Sequence, residues 1–165
     1  MQTTFGLFSL ESAEAAAAAL EQRLGTEAVN VILQEAARER LTTGRVQPAA
    51  PGQPALVAAP TLTHLLSRKR SVFLAETGAV FAAHDLAAHI LDMAQSLSPT
   101  KSRGSLKVSL EEYGVATHYA EAYATGVQHG YVLLFAEVPA DEVVEIGNLL
   151  EAHGGREVFS FQRLE

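Results

Sequence analysis

The stretch that decides the fold covers residues 110–161 and reads LEEYGVATHYAEAYATGVQHGYVLLFAEVPADEVVEIGNLLEAHGGREVFSF. Its apolar periodicity predicts a short helix, a longer helix, a strand, a third helix and a last strand, at residues 110–113, 117–129, 131–138, 139–153 and 158–161. Glycines follow each helix, as expected where the backbone must leave the helical conformation. The second half of the chain is therefore predicted to alternate helices with strands.

The N-terminal residues contain a shorter version of the same pattern. Residues 4–10 are predicted to form a strand, residues 13–24 a helix that ends at Gly25, and residues 28–33 a second strand. The segments FGLFSLESAEAAAAALEQRLGTEAVNVIL and YVLLFAEVPADEVVEIGNLLEAHGGREVFSF share the order strand, acidic turn, helix, glycine, strand. We interpret them as an internal repeat of two β-α-β units.

Two such units with right-handed crossovers predict a four-stranded antiparallel sheet with helices on one face, which is a ferredoxin-like α+β fold. Strand residues such as VLLF are apolar on both sides, so the other face must also be covered. An insertion helix or a second copy of the chain would cover it. We predict one domain over residues 1–165, in which residues 4–35 and 109–165 carry the two units and residues 44–108 form an insertion.

The insertion differs from the rest of the chain in composition. Its first part, residues 44–60, holds four of the six prolines and predicts an extended arm. The apolar spacing that begins at Val80 and Phe81 and continues to Ala94 predicts an amphipathic helix. Residues 98–104 predict a basic loop, since residues 45–108 carry seven basic side chains against three acidic ones.

Composition excludes several function classes. The chain has no cysteine, which removes disulfides and thiolate chemistry and fits a reducing compartment. It has no recognisable signal peptide and no apolar run of the ~20 residues that span a bilayer. The net charge of −7 disfavours general nucleic-acid binding. We therefore predict a soluble cytoplasmic protein with no membrane partner and no cofactor.

Part of the sequence resembles the general-stress, heat-induced stress protein domains of bacteria, mainly over residues 1–35 and 110–161. The residues that match this family's recurring pattern are Leu110, Gly114, Ala120, Tyr123, Gly126, Gly130, Val132, Leu133, Leu150 and Gly154. The resemblance implies stress-responsive expression and supplies no catalytic residues. The family usually has a glycine-rich, membrane-like middle, which this chain replaces with its insertion.

Three side chains are candidates for a ligand pocket: His118, Tyr119 and Tyr123. With the neighbouring Glu111 and Glu112, such a cluster would be able to transfer protons. The simpler interpretation is a tyrosine stripe that packs the helix on the sheet, with its hydroxyls reaching water.

Five basic residues of the insertion are candidates for contact with a partner or a nucleic acid: Arg68, Lys69, Arg70, Lys101 and Arg103. The alternative is a solvated loop, because phosphate binding also needs an attractive overall field. His84 and His89 are five residues apart and do not share a helix face, so they and Asp85 predict no metal site.

Our first hypothesis is a non-enzymatic stress-response protein that acts through protein interaction or regulation. It would form a homodimer through the open sheet face or the insertion. The alternative is a small-ligand-binding or enzymatic dimer of the α+β barrel kind that uses His118, Tyr119 and Tyr123. The third is nucleic-acid docking through the basic insertion. A filled core favours the first hypothesis, and a polar-rimmed cavity between sheet and helices favours the second.

Overall fold

The computed structural model describes residues 2–25, 28–42, 57–66, 69–74, 78–83, 87–90 and 106–162. The strands are β1 (Gln2–Phe8), β2 (Asn30–Gln34), β3 (Leu41–Thr42), β4 (Val57–Ala58), β5 (Lys69–Leu74), β6 (Gly78–Ala83), β7 (Val132–Val138) and β8 (Arg156–Gln162). The helices are α1 (Leu10–Leu24), α2 (Glu35–Arg38), α3 (Pro60–Leu65), α4 (Leu106–Tyr113), α5 (Thr117–Gln128) and α6 (Val143–Ala152), and a 3₁₀ turn at Ala140–Glu142 precedes α6. Residues 87–90 are also helical.

Six strands form one antiparallel sheet in the order β5-β6-β2-β7-β1-β8. Strand β1 lies next to the edge strand β8, with Phe5 opposite Phe135 of β7 and Phe159 of β8. The predicted α+β class with an antiparallel sheet is confirmed. The sheet has six strands instead of the predicted four, because β5 and β6 from the insertion extend it beyond β2.

One face of the sheet is covered by α1, α3 and α6. Ala-rich α1 buries Ala13, Ala16, Ala17 and Leu20 against this face, since small side chains let a helix approach a sheet closely. Helix α1 begins at its N-cap residue Ser9, whose hydroxyl accepts a hydrogen bond from the N–H of Ser12 at 3.3 Å. The N-cap therefore lies three residues before Ser12, at the end of β1.

The opposite face is covered by α4, α5 and the helical residues 87–90. Ala87 and Ile90 are fully buried there, together with Leu110 of α4 and Val127 of α5. The need for a cover is thus met within the chain. Most of it comes from α4 and α5, and the insertion contributes residues 87–90.

The insertion contains a β-hairpin where the sequence predicted the start of an amphipathic helix. Val80 and Phe81 belong to β6, where they lie opposite Gln34 and Leu33 of β2. Residues 87–90 are helical, and the rest of the predicted helix lies outside the described residues. The prediction was wrong for Val80 and Phe81 because pairing with β2 stabilises this apolar run as a strand more than an isolated helix would be stabilised.

Helix α3 of the insertion is joined to α1 by two partly buried hydrogen bonds. The carboxylate of Glu14 accepts hydrogen bonds from the backbone N–H of Thr61 at 3.2 Å and of Leu62 at 3.0 Å. These N–H groups lie in the first turn of α3, where no intrahelical acceptor exists. Glu14 therefore caps a helix far from it in sequence and joins the insertion to the first β-α-β segment.

Candidate functional site

An open cleft of about 510 Å³ lies where α5 passes the beginning of β8. One wall is a face of α5, the other is the start of β8 with Tyr131, and the floor is apolar. Its lining residues are Leu7, His118, Glu121, Ala122, Thr125, Gly126, His129, Tyr131, Arg156 and Glu157. The volume lies within the range of about 300–1,000 Å³ that is usual for small-molecule sites.

The wall from α5 follows directly from helical spacing. His118, Glu121, Thr125 and His129 occur at intervals of three and four residues, so their side chains line up along one face. Ala122 and Gly126 lie beside them, and the missing side chain of Gly126 makes room for Leu7, with which a Cβ atom there would clash. Over the eleven residue steps from His118 to His129, this polar stripe extends about 16 Å.

The opposite wall is shaped by a β-bulge in β8. Phe5 of β1 lies opposite Phe159, but Leu7 lies opposite Arg156, so β8 has one more residue than β1 between these pairs. The extra residue places Glu157 at φ +52°, in the left-handed region that non-glycine residues rarely adopt. The bulge brings the side chains of Arg156 and Glu157 into the cleft.

The strained residue is held from the core side by Tyr123. The Tyr123 hydroxyl donates a hydrogen bond to the backbone carbonyl of Glu157, and the Tyr123 ring stacks on Phe5 with centroids 5.5 Å apart. Burial, followed by the charges of Tyr119 and Glu157, raises the pKa of Tyr123 far above its usual range. Tyr123 therefore stays protonated and keeps donating to the bulge.

We expect Tyr123→Phe to lower the free energy of unfolding by about 1–3 kcal/mol, because the Glu157 carbonyl loses its donor. The difference from wild type should shrink above the ordinary tyrosine pKa of 10.0. There the unfolded chain releases a proton that the folded chain keeps, so wild-type stability falls by up to ~1.4 kcal/mol per pH unit.

Urea unfolding of both proteins below and above this pH measures the effect. The wild-type contribution is fully present below the unfolded pKa and is lost as the pH rises towards the folded value. A difference between the two proteins that stays constant across this pH range would contradict the role of Tyr123.

The three predicted pocket residues all lie on α5, but their side chains have different environments. His118 lines the cleft, with 80% of its side chain exposed and its Nε2 3.9 Å from a carboxylate oxygen of Glu157. Tyr119 stacks on Phe159 at 4.3 Å, and Tyr123 is fully buried. The two tyrosines therefore form the packed layer behind the cleft, and His118 faces the cleft itself.

The other end of the cleft has a different character. The Arg156 guanidinium lies 5.9 Å from the centre of the Tyr131 ring, close enough for a cation–π contact. Nδ1 of His129 lies 2.7 Å from the carbonyl oxygen of Thr125. Because a carbonyl can only accept, Nδ1 carries the proton, and Nε2 of the neutral ring is left as an acceptor.

Sequence reasoning missed most of this cleft. The signal for the α5 wall was present, since His118, Glu121, Thr125 and His129 have helical spacing. No local signal marks Arg156 and Glu157, because the bulge exists only through the register of β8 against β1.

Two of the five basic candidates of the insertion, Lys69 and Arg70, lie within the described residues, far from the cleft. Lys69 and Arg70 begin β5, at the opposite edge of the sheet from β8. Arg68, Lys101 and Arg103 lie outside the described residues, as do His84 and Asp85. Over the described part of the chain, no group of three His, Asp or Glu side chains has a metal-binding arrangement.

The chain matches no family model, and comparisons with curated proteins and with solved structures find no match. The resemblance to bacterial stress protein domains therefore stays a prediction. Among the described residues, no helix is both long and apolar enough to cross a membrane.

Proposed function

We propose that this protein is non-enzymatic and acts through protein interaction, as a homodimer joined at the outer edge of β8. The observation that carries the proposal is the position of β8, which is the last strand of the sheet. Within the described residues, no strand pairs with its outer edge, so a row of backbone donors and acceptors is available to a further strand. A second copy of the chain would supply that strand.

The filled interior supports interaction over ligand chemistry between the layers. Phe5, Tyr113, Tyr123 and Phe135 fill one side of the sheet with ring centroids 4.7–6.4 Å from that of Phe5. On the other side Ile146, Leu150 and the alanines of α1 are buried together. The cleft lies at the margin of these layers, and the space between sheet and helices is occupied by side chains.

The two edges of the sheet differ in a way that favours β8 as the contact strand. Both edge strands begin with two charged residues, but Lys69 and Arg70 of β5 have the same sign, which opposes strand pairing, whereas Arg156 and Glu157 of β8 have opposite signs. The segment of β8 after the bulge reads VFSFQ and carries no charge. Its Phe159 and Phe161 point to the same face, with ring centroids 5.8 Å apart.

A two-fold axis at Ser160 gives this segment a self-complementary register. In an antiparallel pair about that axis, Phe159 of each copy lies opposite Phe161 of the other. Aromatic cross-strand pairs contribute about 0.2–1 kcal/mol each beyond backbone pairing. Ser160 then faces itself across the axis, which makes it the position most sensitive to charge.

We expect light scattering to give twice the mass of one chain for wild type and a single-chain mass for Ser160→Lys, because two like charges would lie directly opposite each other. Ser160→Ala is the matched control. Both substitutions remove the 2.8 Å hydrogen bond to Thr4, but only lysine adds charge. Mixing Ser160→Lys with Ser160→Glu should restore the double mass.

Two results would refute this geometry. A single-chain mass for wild type would refute the proposal that the protein is a homodimer. A double mass for Ser160→Lys would keep a homodimer but move its contact away from β8.

We further propose that β8, β1, β7 and β2 with α1 and α6 are the ferredoxin-like unit of the two repeats. Strands β1 and β2 both run antiparallel to β7 and are joined by α1, and β7 and β8 both run antiparallel to β1 and are joined by α6. Stress-induced expression, the cytoplasmic location and a regulatory role stay predictions. Transcript and protein levels after a heat pulse would test the first of these.

A further inference from the structure

We propose that the cleft between α5 and the β8 bulge binds a small zwitterion of the amino-acid or dipeptide class. The carboxylate of the ligand lies at Arg156, and its ammonium group lies at Glu121 and Glu157. This inference is independent of the proposed homodimer, since it uses the cleft at the start of β8 and not the outer edge of the strand.

The cleft presents opposite charges at its two ends. Arg156 is positioned by the Tyr131 ring, and among the described residues its guanidinium makes no ion pair. Glu121 follows His118 by three residues on the same face of α5, and Nε2 of His118 is 3.9 Å from a carboxylate oxygen of Glu157, so both acidic residues belong to the His118 end of the cleft. A ligand with one charge of each sign satisfies both ends.

A ligand with a single charge fits the cleft less well. A simple anion bound at Arg156 would engage only the guanidinium, and a simple cation would engage only the carboxylates of Glu121 and Glu157. The alternation of charge along the cleft therefore selects for a dipolar molecule.

The floor and the far end of the cleft suit a short peptide. Leu7, Ala122 and Gly126 form an apolar floor on which an aliphatic side chain can lie. The proton on Nδ1 of His129 leaves Nε2 able to accept a hydrogen bond, such as one from a peptide N–H. A length of about 16 Å along α5 accommodates two residues in an extended conformation.

The backbone of Glu157 is an independent sign of function. A non-glycine residue in the left-handed region costs about 1–3 kcal/mol, and such strain concentrates at binding and catalytic sites. Here the strain turns Glu157 towards the cleft, and the Tyr123 hydroxyl holds its carbonyl. A regular strand in this place would relieve the strain and lose this arrangement of Arg156 and Glu157.

Glycyl-L-leucine is the probe we would titrate into ¹⁵N-labelled protein while recording backbone amide spectra. We expect shifts at residues 118–129 and 156–157. N-acetyl-glycyl-leucine and glycyl-leucinamide, which each lack one charge, should bind about tenfold more weakly, because each loses a charge-assisted hydrogen bond.

Variants assign each charge to its residue. Arg156→Gln should weaken binding of glycyl-L-leucine about tenfold and remove its advantage over the amide, and Glu121→Gln should remove its advantage over the acetylated form. Glu151→Gln is the control, since it removes an exposed carboxylate on α6, which packs on the other face of the sheet. It should leave binding unchanged.

The proposal is overturned if a large excess of the dipeptide leaves residues 118–129 and 156–157 unshifted. Equal affinity for all three compounds, or preference for a singly charged one, overturns the zwitterion as the ligand class. Ser160→Lys should bind the dipeptide as wild type does, so failure of the homodimer and failure of the cleft give different results.

Discussion

Replacing Phe5 with alanine is expected to lower the free energy of unfolding by about 3–5 kcal/mol. Phe5 is fully buried at the centre of β1, and its ring lies within 4.7–6.4 Å of the rings of Phe135, Tyr123, Phe161 and Tyr113. Alanine would remove the ring that the four others contact. The cost includes the lost burial and the cavity that rigid neighbours cannot close.

Urea unfolding followed by circular dichroism measures the loss. Val144→Ala is the control, because Val144 is 75% exposed on α6 and its truncation should change stability by no more than about 0.5 kcal/mol. Phe5→Leu should fall between the two, since leucine refills part of the space. A loss below about 1 kcal/mol for Phe5→Ala would contradict a rigid aromatic layer.

Gly114→Ala is expected to cost about 2–5 kcal/mol, which combines an unfavourable backbone with a steric clash. Gly114 ends α4 at φ +126°, and a Cβ atom there would lie 2.7 Å from the Phe161 ring. Val115 N–H donates to Leu110 at 2.9 Å across this turn, so the backbone cannot shift without losing a helix cap.

Gly130→Ala separates the two contributions. Gly130 has φ +90°, but a Cβ atom there meets nothing within 4 Å. Gly130→Ala should therefore lower the free energy of unfolding only through the unfavourable backbone conformation, by about 1–2 kcal/mol. Equal losses for the two variants, again from urea unfolding, would mean that Phe161 yields easily and that the contact between α4 and β8 is loose.

Phe5→Ala and Gly114→Ala both change the packing that supports the cleft. Phe5 stacks on Tyr123, which holds the Glu157 carbonyl, and Gly114 lies against Phe161 of β8. The aromatic layer thus positions β8, and β8 carries Arg156 and Glu157. The proposed ligand site depends on packing behind it that never contacts the ligand.

The helices and central strands were predictable because their signals are local. The apolar run of β7 and the alanines of α1 mark these elements without reference to the rest of the chain. The stretch around Val80 and Phe81 was misassigned because a short apolar run suits a helix or a strand equally well, and its pairing with β2 decided the outcome.

The candidate site also has one part that was predictable from local sequence and one part that was not. His118 and the other polar residues of α5 share a face through helical spacing alone, so the sequence by itself determines that wall. The roles of Tyr119 and Tyr123 depended on which face of α5 meets the sheet, and the structure places both in the packed layer.

The sequence by itself determined the order of helices and strands around β1, β7 and β8, since hydrophobic period and glycine position act over a few residues. Only the tertiary structure decided that β5 and β6 extend the sheet, that α4 and α5 cover its second face, and that Glu157 bulges into a cleft. Each of these results from contacts between residues distant in the chain. The register of one strand against another is set by packing energy that no short segment contains.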